Sequence, residues 1–205
     1  MAADHVILFD CEWLAEEGSM KRLWCSPDDP DPVVVQIGAV KLSLKAPYPV
    51  LDTLRLHILP SNRSGEPVPL PDFFTGLTGI SEAVLESEGL PLDQALLSFT
   101  DFAGEADLWS WGKDEIYLMA ISCYLRGLPP PLPATRFFSA ASLMTKAGMS
   151  KEDRERTRSS GLARYFQLDM PDLPAHDGLN DALGIALSLQ HLLRSGRLKA
   201  SDFRG

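Results

Sequence analysis

The stretch His5-Val6-Ile7-Leu8-Phe9-Asp10-Cys11-Glu12-Trp13 decides how this chain is read. Val6 to Phe9 is apolar on both faces, the composition of a strand buried in the middle of a sheet. The strand then runs into two carboxylates one residue apart. Residues two apart on a strand point to the same side, so Asp10 and Glu12 project together and Cys11 faces the other way. Strand ends are where α/β proteins place ligands. Two adjacent anions in a half-buried setting repel, and one is driven towards protonation unless a cation binds. Taken alone, the pair also fits a solvated strand end.

Outward from this strand, 33–42 (Val33-Val34-Val35-Gln36-Ile37-Gly38-Ala39-Val40-Lys41-Leu42) reads as a second strand. A third covers 53–59, where Leu54, Leu56 and Ile58 alternate with Arg55 and His57. Three strands in succession form a meander, so these neighbours are expected to be antiparallel. Residues 14–32 and 60–71, broken by Gly18 and several prolines, read as loops. Helices are expected from Ser81 onward and along Leu92, Ala95, Leu96, Phe99, Phe102 and Ala103. A short strand at 107–111 leads into a helix over 114–126 that stops at Gly127, and 135–139 reads as a last strand. Smaller helices fall near 140–146 and 159–165. The final helix has an apolar stripe of Ala182, Ile185, Ala186, Leu189, Leu192 and Leu193, closed by Gly196. The alternation predicts an α/β architecture, a mixed sheet covered by helices, in one domain over 1–205 with its core at about 5–195.

The 205 residues carry 19 Lys and Arg against 28 Asp and Glu, a formal net charge of −9. Proteins that coat phosphates are usually basic. A nucleic-acid role here needs a local basic face, or metal ions that reverse the sign of an acidic site. The best basic candidate is 146–164, with six bases against three acids; it also fits a solvated, salt-bridged surface. No apolar run approaches a membrane span; the longest, 117–125, contains Ser122. The first residues lack the features of a signal peptide. Three scattered cysteines without CxxC spacing argue against a disulfide framework, so a reducing, cytoplasmic location is expected.

Two further features carry chemistry. His176-(x)4-Asp181 spans a loop and the start of the last helix, where Asp181 or Asn180 also suits a helix cap. Asp114, in Ser110-Trp111-Gly112-Lys113-Asp114, enters a helix after a strand, where an acid also suits the dipole; neighbouring Glu115 is its rival. Jointly, Phe9-Asp10-Cys11-Glu12, Asp114 and His176-(x)4-Asp181 make the chain resemble the DEDD superfamily of 3′–5′ exonucleases, in the subgroup whose third motif carries histidine (DEDDh). Gln36-Ile37-Gly38-Ala39-Val40 and Leu77-Thr78-Gly79-Ile80 also match, and the likeness runs from about Val6 to Leu193. The acidic loop after Glu12 and the Trp111-Gly112 lead look most like the branch related to histone-mRNA and small-RNA trimming exonucleases.

The resemblance implies a ribonuclease H-like fold, a five-stranded mixed sheet with helices on both sides. It implies hydrolysis of single-stranded RNA or DNA from the 3′ end, with release of nucleoside 5′-monophosphates. Two divalent ions, Mg²⁺ or Mn²⁺, would be held by Asp10, Glu12, Asp114 and Asp181, with His176 as general base. Hard ions of this kind want oxygen ligands, and four carboxylates balance two dications. The resemblance places the terminal nucleotide against Leu77, Thr78, Gly79 and Ile80, with the 3′ hydroxyl near Glu12 and the backbone at Cys11. Trp13 suits either base stacking or packing. Such domains often pair, so a homodimer is among the expected assemblies. A haloacid-dehalogenase-like phosphatase also ends its first strand in Asp, but Glu12-Trp13-Leu14 lacks its continuation and His176-(x)4-Asp181 would have no role. The remaining rival is a nuclease-like domain that binds nucleic acid or a protein without cutting.

Overall fold

The computed structural model describes residues 3–169 and 174–203. In chain order its main elements are β1 (His5–Trp13), α1 (Ser19–Arg22), β2 (Val34–Ser43), β3 (Val50–Ile58), α2 (Asp72–Thr78), α3 (Glu82–Glu88), β4 (Gly89–Leu90) and α4 (Leu92–Ala103). There follow β5 (Leu108–Ser110), α5 (Asp114–Leu125), β6 (Phe137–Ser139), α6 (Ala140–Lys146), α7 (Lys151–Arg156), α8 (Leu162–Tyr165) and α9 (Gly178–Arg194). The sheet order is β4-β3-β2-β1-β5-β6. The meander β1-β2-β3 is antiparallel, and β5, β6 and β4 are added in parallel.

The sheet thus has six strands where five were expected. The sixth, β4, is two residues long and pairs Gly89 and Leu90 with His57 and Ile58. Two residues show no alternation, and Gly89 with the Pro91 that follows the strand reads as a turn, so hydrophobic periodicity has nothing to detect there. A second difference matters more. β1 does not end before the carboxylates; it stays paired with β2 through Trp13. Asp10 and Glu12 are therefore held by the sheet ladder itself. The expected loop 14–32 also contains a helix, α1, and α2 covers 72–78, between the expected loop and the expected helix; both are too short for a clear apolar stripe.

Strand alternation divides the core into two layers. Val6 and Leu8 of β1, with Val40 and Leu42 of β2, pack under α9 and α6. Ile7, Phe9 and Cys11 pack on the other face against α4 and α5, through Phe99, Leu118 and Met119. Continuing the period-two pattern, Asp10 and Glu12 fall on the α9 side. A third cluster, built on Leu14, Val35, Phe74 and Ile80, seals the end of the sheet beyond them. Among the described residues no helix is long and apolar enough to cross a membrane.

Candidate functional site

Three carboxylates meet where β1 passes under the start of α9. Oxygens of Asp10, Glu12 and Asp181 all lie within 4.8 Å of one another, and these residues are 7%, 8% and 5% exposed. The meeting depends on a close backbone approach. Gly38 is the β2 partner of Asp10. A Cβ at Gly38 would fall inside the backbone of Gly178 and Leu179, and one at Gly178 would lie 2.9 Å from the Asp10 carbonyl. Two glycines therefore let the helix end settle onto the strands.

The helix is capped by Asp177, whose carboxylate accepts from the Asn180 amide at 3.0 Å. Neither Asp181 nor Asn180 is the cap, contrary to that reading of the sequence. Asp177 also pairs with Arg55 at 2.8 Å, and Gln36 Oε1 accepts from the Gly178 amide at 2.6 Å. Gln36 in turn meets His57, which meets Glu88, at 3.0 and 2.9 Å. This network fixes the helix start to β2 and β3. Asp181, one turn in, is left to face the strand carboxylates. Ser159 Oγ donates to it at 3.3 Å, and the His176 backbone amide also donates.

The second motif places a different residue than expected. Asp114 is exposed at the first position of α5, while Glu115 is 5% exposed and faces Asp10 closely enough to share a proton. Glu115 Oε2 has no hydrogen-bond donor. Two carboxylates in contact need a proton or a cation between them. Helix phase explains the exchange: Glu115 lies on the face of Leu118, Met119 and Ser122, all buried, whereas Asp114 continues the face of exposed Tyr117. That periodicity was the signal in the sequence that favoured Glu115.

The electrostatics follow from burial without a cation. The Asp10 carboxyl is driven well above its ordinary range, first by desolvation and then by Glu115, Asp181 and Glu12. Glu12 is pushed up to about 8 by burial and by Asp181, Asp177 and Glu115. Asp181 is pushed up to about 6, again mainly by burial. His176 moves the other way, lowered by burial and by Arg158. The donor set of Asp10, Glu12 and Asp181, all carboxylate oxygen, with the Glu115 carboxyl against Asp10, fits hard divalent cations.

A pH dependence results. Carboxyls raised in the fold hold protons that the unfolded chain, with values near 4, has already released. Stability without metal is therefore greatest in mild acid and falls as pH rises from about 4 through about 6 for Asp181 and about 8 for Glu12. A divalent ion held there would replace those protons. Thermal melts in EDTA should drop between pH 6 and pH 8.5, and added Mn²⁺ should raise the melting temperature more at pH 8.5. An unchanged metal-free melting temperature over that range would contradict the burial argument.

Around the carboxylates lies a cleft of about 540 Å³, within the roughly 300–1,000 Å³ of small-ligand pockets. Trp13 and Trp24 stand edge to face along one wall, centroids 6.4 Å apart. Trp24 Nε1 donates to the Leu14 carbonyl at 2.9 Å, which orients the ring. Leu77, 40% exposed, and Thr78 line the cleft from the end of α2. Gly79 and Ile80 do not. Gly79 (φ 74°) ends the helix at an exposed position, and Ile80 is buried in the third core cluster, so no side of this cleft is formed by them. Cys11 reaches the cleft only at its edge, since its thiol packs into the α4–α5 layer. Trp24 and Ser159 also border the cleft and were not singled out for the site from the sequence, whereas Arg158 belongs to the basic candidate 146–164. They arrive on loops, where no period marks a face.

The fold is that of solved 3′-exonuclease structures, and in this chain the acidic residues meet at the junction of β1, α5 and α9. No family model matches the chain, and no curated protein matches it. Among solved structures, a 3′-exonuclease recognising the 3′ end of the histone mRNA stem-loop superposes with a TM-score of 0.75 at 20% identity, over 96% of this chain and 84% of that one. The nuclease domain of 3′hExo, a DEDDh family member bound to rAMP, gives 0.74 at 22% identity, over 94% and 93%. Exonuclease I of E. coli with a dT13 oligonucleotide gives 0.63 at 11% identity, over 95% of this chain and 42% of that one.

Proposed function

We propose that this chain is a metal-dependent 3′–5′ exonuclease acting on single-stranded RNA or DNA. The observation that carries the reading is the buried convergence of Asp10, Glu12 and Asp181 with Glu115 at the floor of a cleft. In this reading Asp10, Glu12, Glu115 and Asp181 hold Mg²⁺ or Mn²⁺, two ions balancing four carboxylates. The ions would supply positive charge for the scissile phosphate and Lewis acidity for its hydrolysis. Asp114, at the rim, is left to tune the field of the site.

The remaining roles fall to the chain's own groups. His176 projects from the loop before α9 into the cleft with its basicity reduced, so its imidazole is neutral at pH 7 and able to accept a proton from water. Trp13, Trp24 and Leu77 give the terminal base an apolar wall, and Thr78 sits beside Leu77. The superposable solved structures include complexes of other proteins with RNA, with rAMP and with a DNA oligonucleotide. They support a nucleic-acid substrate without selecting the sugar.

A gel assay on 5′-labelled single-stranded RNA and DNA with Mg²⁺ or Mn²⁺ tests the reading. Stepwise shortening is expected. Binding without shortening would favour a nuclease-like binding module. Glu115→Gln should reduce the rate at least about 100-fold, and Asp114→Asn less than about tenfold; the reverse order would return the second motif to Asp114. His176→Ala should reduce the rate by roughly 10²–10⁴-fold near neutrality, and full activity would remove it as the base.

A further inference from the structure

The proposed cleft has a charge problem at its edge. It is lined by six carboxylates, of which Glu16 and Asp114 lie outside the buried four, and by a single guanidinium, Arg158. Metal ions would balance the inner carboxylates. They would leave the next phosphate of a polynucleotide, the one 5′ of the penultimate nucleotide, without a partner. On the Glu16 side the loop over residues 14–32 is acidic, with Glu16, Glu17, Asp28, Asp29 and Asp31 against Lys21 and Arg22. A strand leaving that way would run along like charge.

On the Arg158 side the cleft adjoins a shallow pocket of about 410 Å³. Arg158 and Ser160 line both, so the two are neighbours. Arg156, Arg164 and Tyr165 complete the pocket, and no carboxylate lines it. Much of the remaining basic charge of 146–164 is engaged elsewhere. Lys146 pairs with Asp202 at 2.6 Å, Lys151 with Glu155 at 3.7 Å, and Arg154 donates to the Thr145 hydroxyl at 3.0 Å. Arg156 pairs with Glu152 at 2.6 Å, but both side chains are more than two-thirds exposed, and such a pair is readily exchanged for a phosphate. Arg158 and Arg164 have no ion pair among the described residues. The loop is also fixed to the centre, because Ser159 donates to Asp181 and Arg158 acts electrostatically on His176.

We propose that Arg158, Arg164 and Arg156 form a phosphate track for the sugar-phosphate backbone of the nucleotides just 5′ of the terminal one. The track rests on the nuclease reading of the cleft. It makes the enzyme prefer substrates longer than a dinucleotide, since a dinucleotide ends before Arg164. The chemistry recognised is the phosphodiester, common to RNA and DNA. Tyr165, 38% exposed beside Arg164, offers one ring face for an upstream base.

The test uses the full chain with Mn²⁺ on two substrates, a single-stranded 12-residue RNA and the corresponding dinucleotide. For the double variant Arg156→Ala/Arg164→Ala, kcat/KM should fall at least about tenfold more on the 12-mer than on the dinucleotide. The slope of log kcat/KM against log salt should flatten by roughly 1–1.5 on the 12-mer, about 0.7 for each lost phosphate contact on a single strand. Arg156→Lys/Arg164→Lys should keep most of the 12-mer preference. An equal loss on both substrates, or an unchanged salt slope, would overturn the track and leave the nuclease reading standing. A wild-type protein that shortens neither substrate would overturn that reading, and the track with it.

Discussion

Asp10→Asn should abolish hydrolysis while leaving the metal-free protein at least as stable as the wild type. The loss is expected to reach at least about 10³-fold, which corresponds to roughly 4 kcal/mol on the barrier. Asp10 is the carboxyl that faces the other three, Glu115, Asp181 and Glu12. An amide at that position carries no charge and cannot serve as an anionic ligand. The stability effect has the opposite sign for the same reason. Burial and three neighbouring carboxylates make the ionised form of Asp10 costly in the metal-free fold. Asn has the same shape, and its amide can donate to the Glu115 carboxylate that Asp10 faces. Its metal-free melting temperature should therefore equal or exceed that of the wild type at pH 8.5, and the rise on adding Mn²⁺ should vanish. Measuring rate and melting temperature together separates a lost ligand from a misfolded protein. Retained Mn²⁺-dependent cleavage would remove Asp10 from the centre.

Gly38→Ala should have the largest structural effect of any single methyl addition near the site. The added carbon would occupy the space of the Gly178 and Leu179 backbone, which no rotamer change can clear. Either β2 bends or the start of α9 lifts. Overpacking of this kind costs typically 1–3 kcal/mol and sometimes more. For a chain of this size, each kcal/mol lowers the melting temperature by about 2–4 °C. A drop of about 5–10 °C is expected, with at least about 100-fold loss of activity, because a lifted helix carries Asp181 away from Asp10 and Glu12. Gly76→Ala is the control, since a Cβ there meets nothing within 4 Å. A normal melting temperature and rate for Gly38→Ala would show that the helix does not need to approach so closely.

How far the sequence reveals this site depends on which interactions are local. The β1 carboxylates are legible because a strand buried on both faces is unmistakable, and period two puts Asp10 and Glu12 on one side. The fold class follows from the meander and the later helix–strand alternation. The choice between Asp114 and Glu115 turns on helix phase, about 100° between neighbours. The motif spacing alone did not settle it; the buried side chains one turn on did. Asp177 illustrates the limit of a different kind. Beside His176 it reads as a mild departure, yet it caps α9 and ties it to Arg55 and Gln36, partners more than 120 residues away. His57 likewise gains a role only through Gln36 and Glu88. Ile80 shows how a motif can mislead, because its side chain belongs to the core cluster under α2 and α3. Trp24 and Arg158 reach the cleft on loops whose course is set by tertiary contacts.

The most direct test of the central claim is anomalous diffraction from crystals soaked in Mn²⁺. Peaks are expected among the carboxylates of Asp10, Glu12, Glu115 and Asp181, with none attached to Asp114 alone. A well-ordered map showing these four side chains in place and no manganese between them would contradict the account.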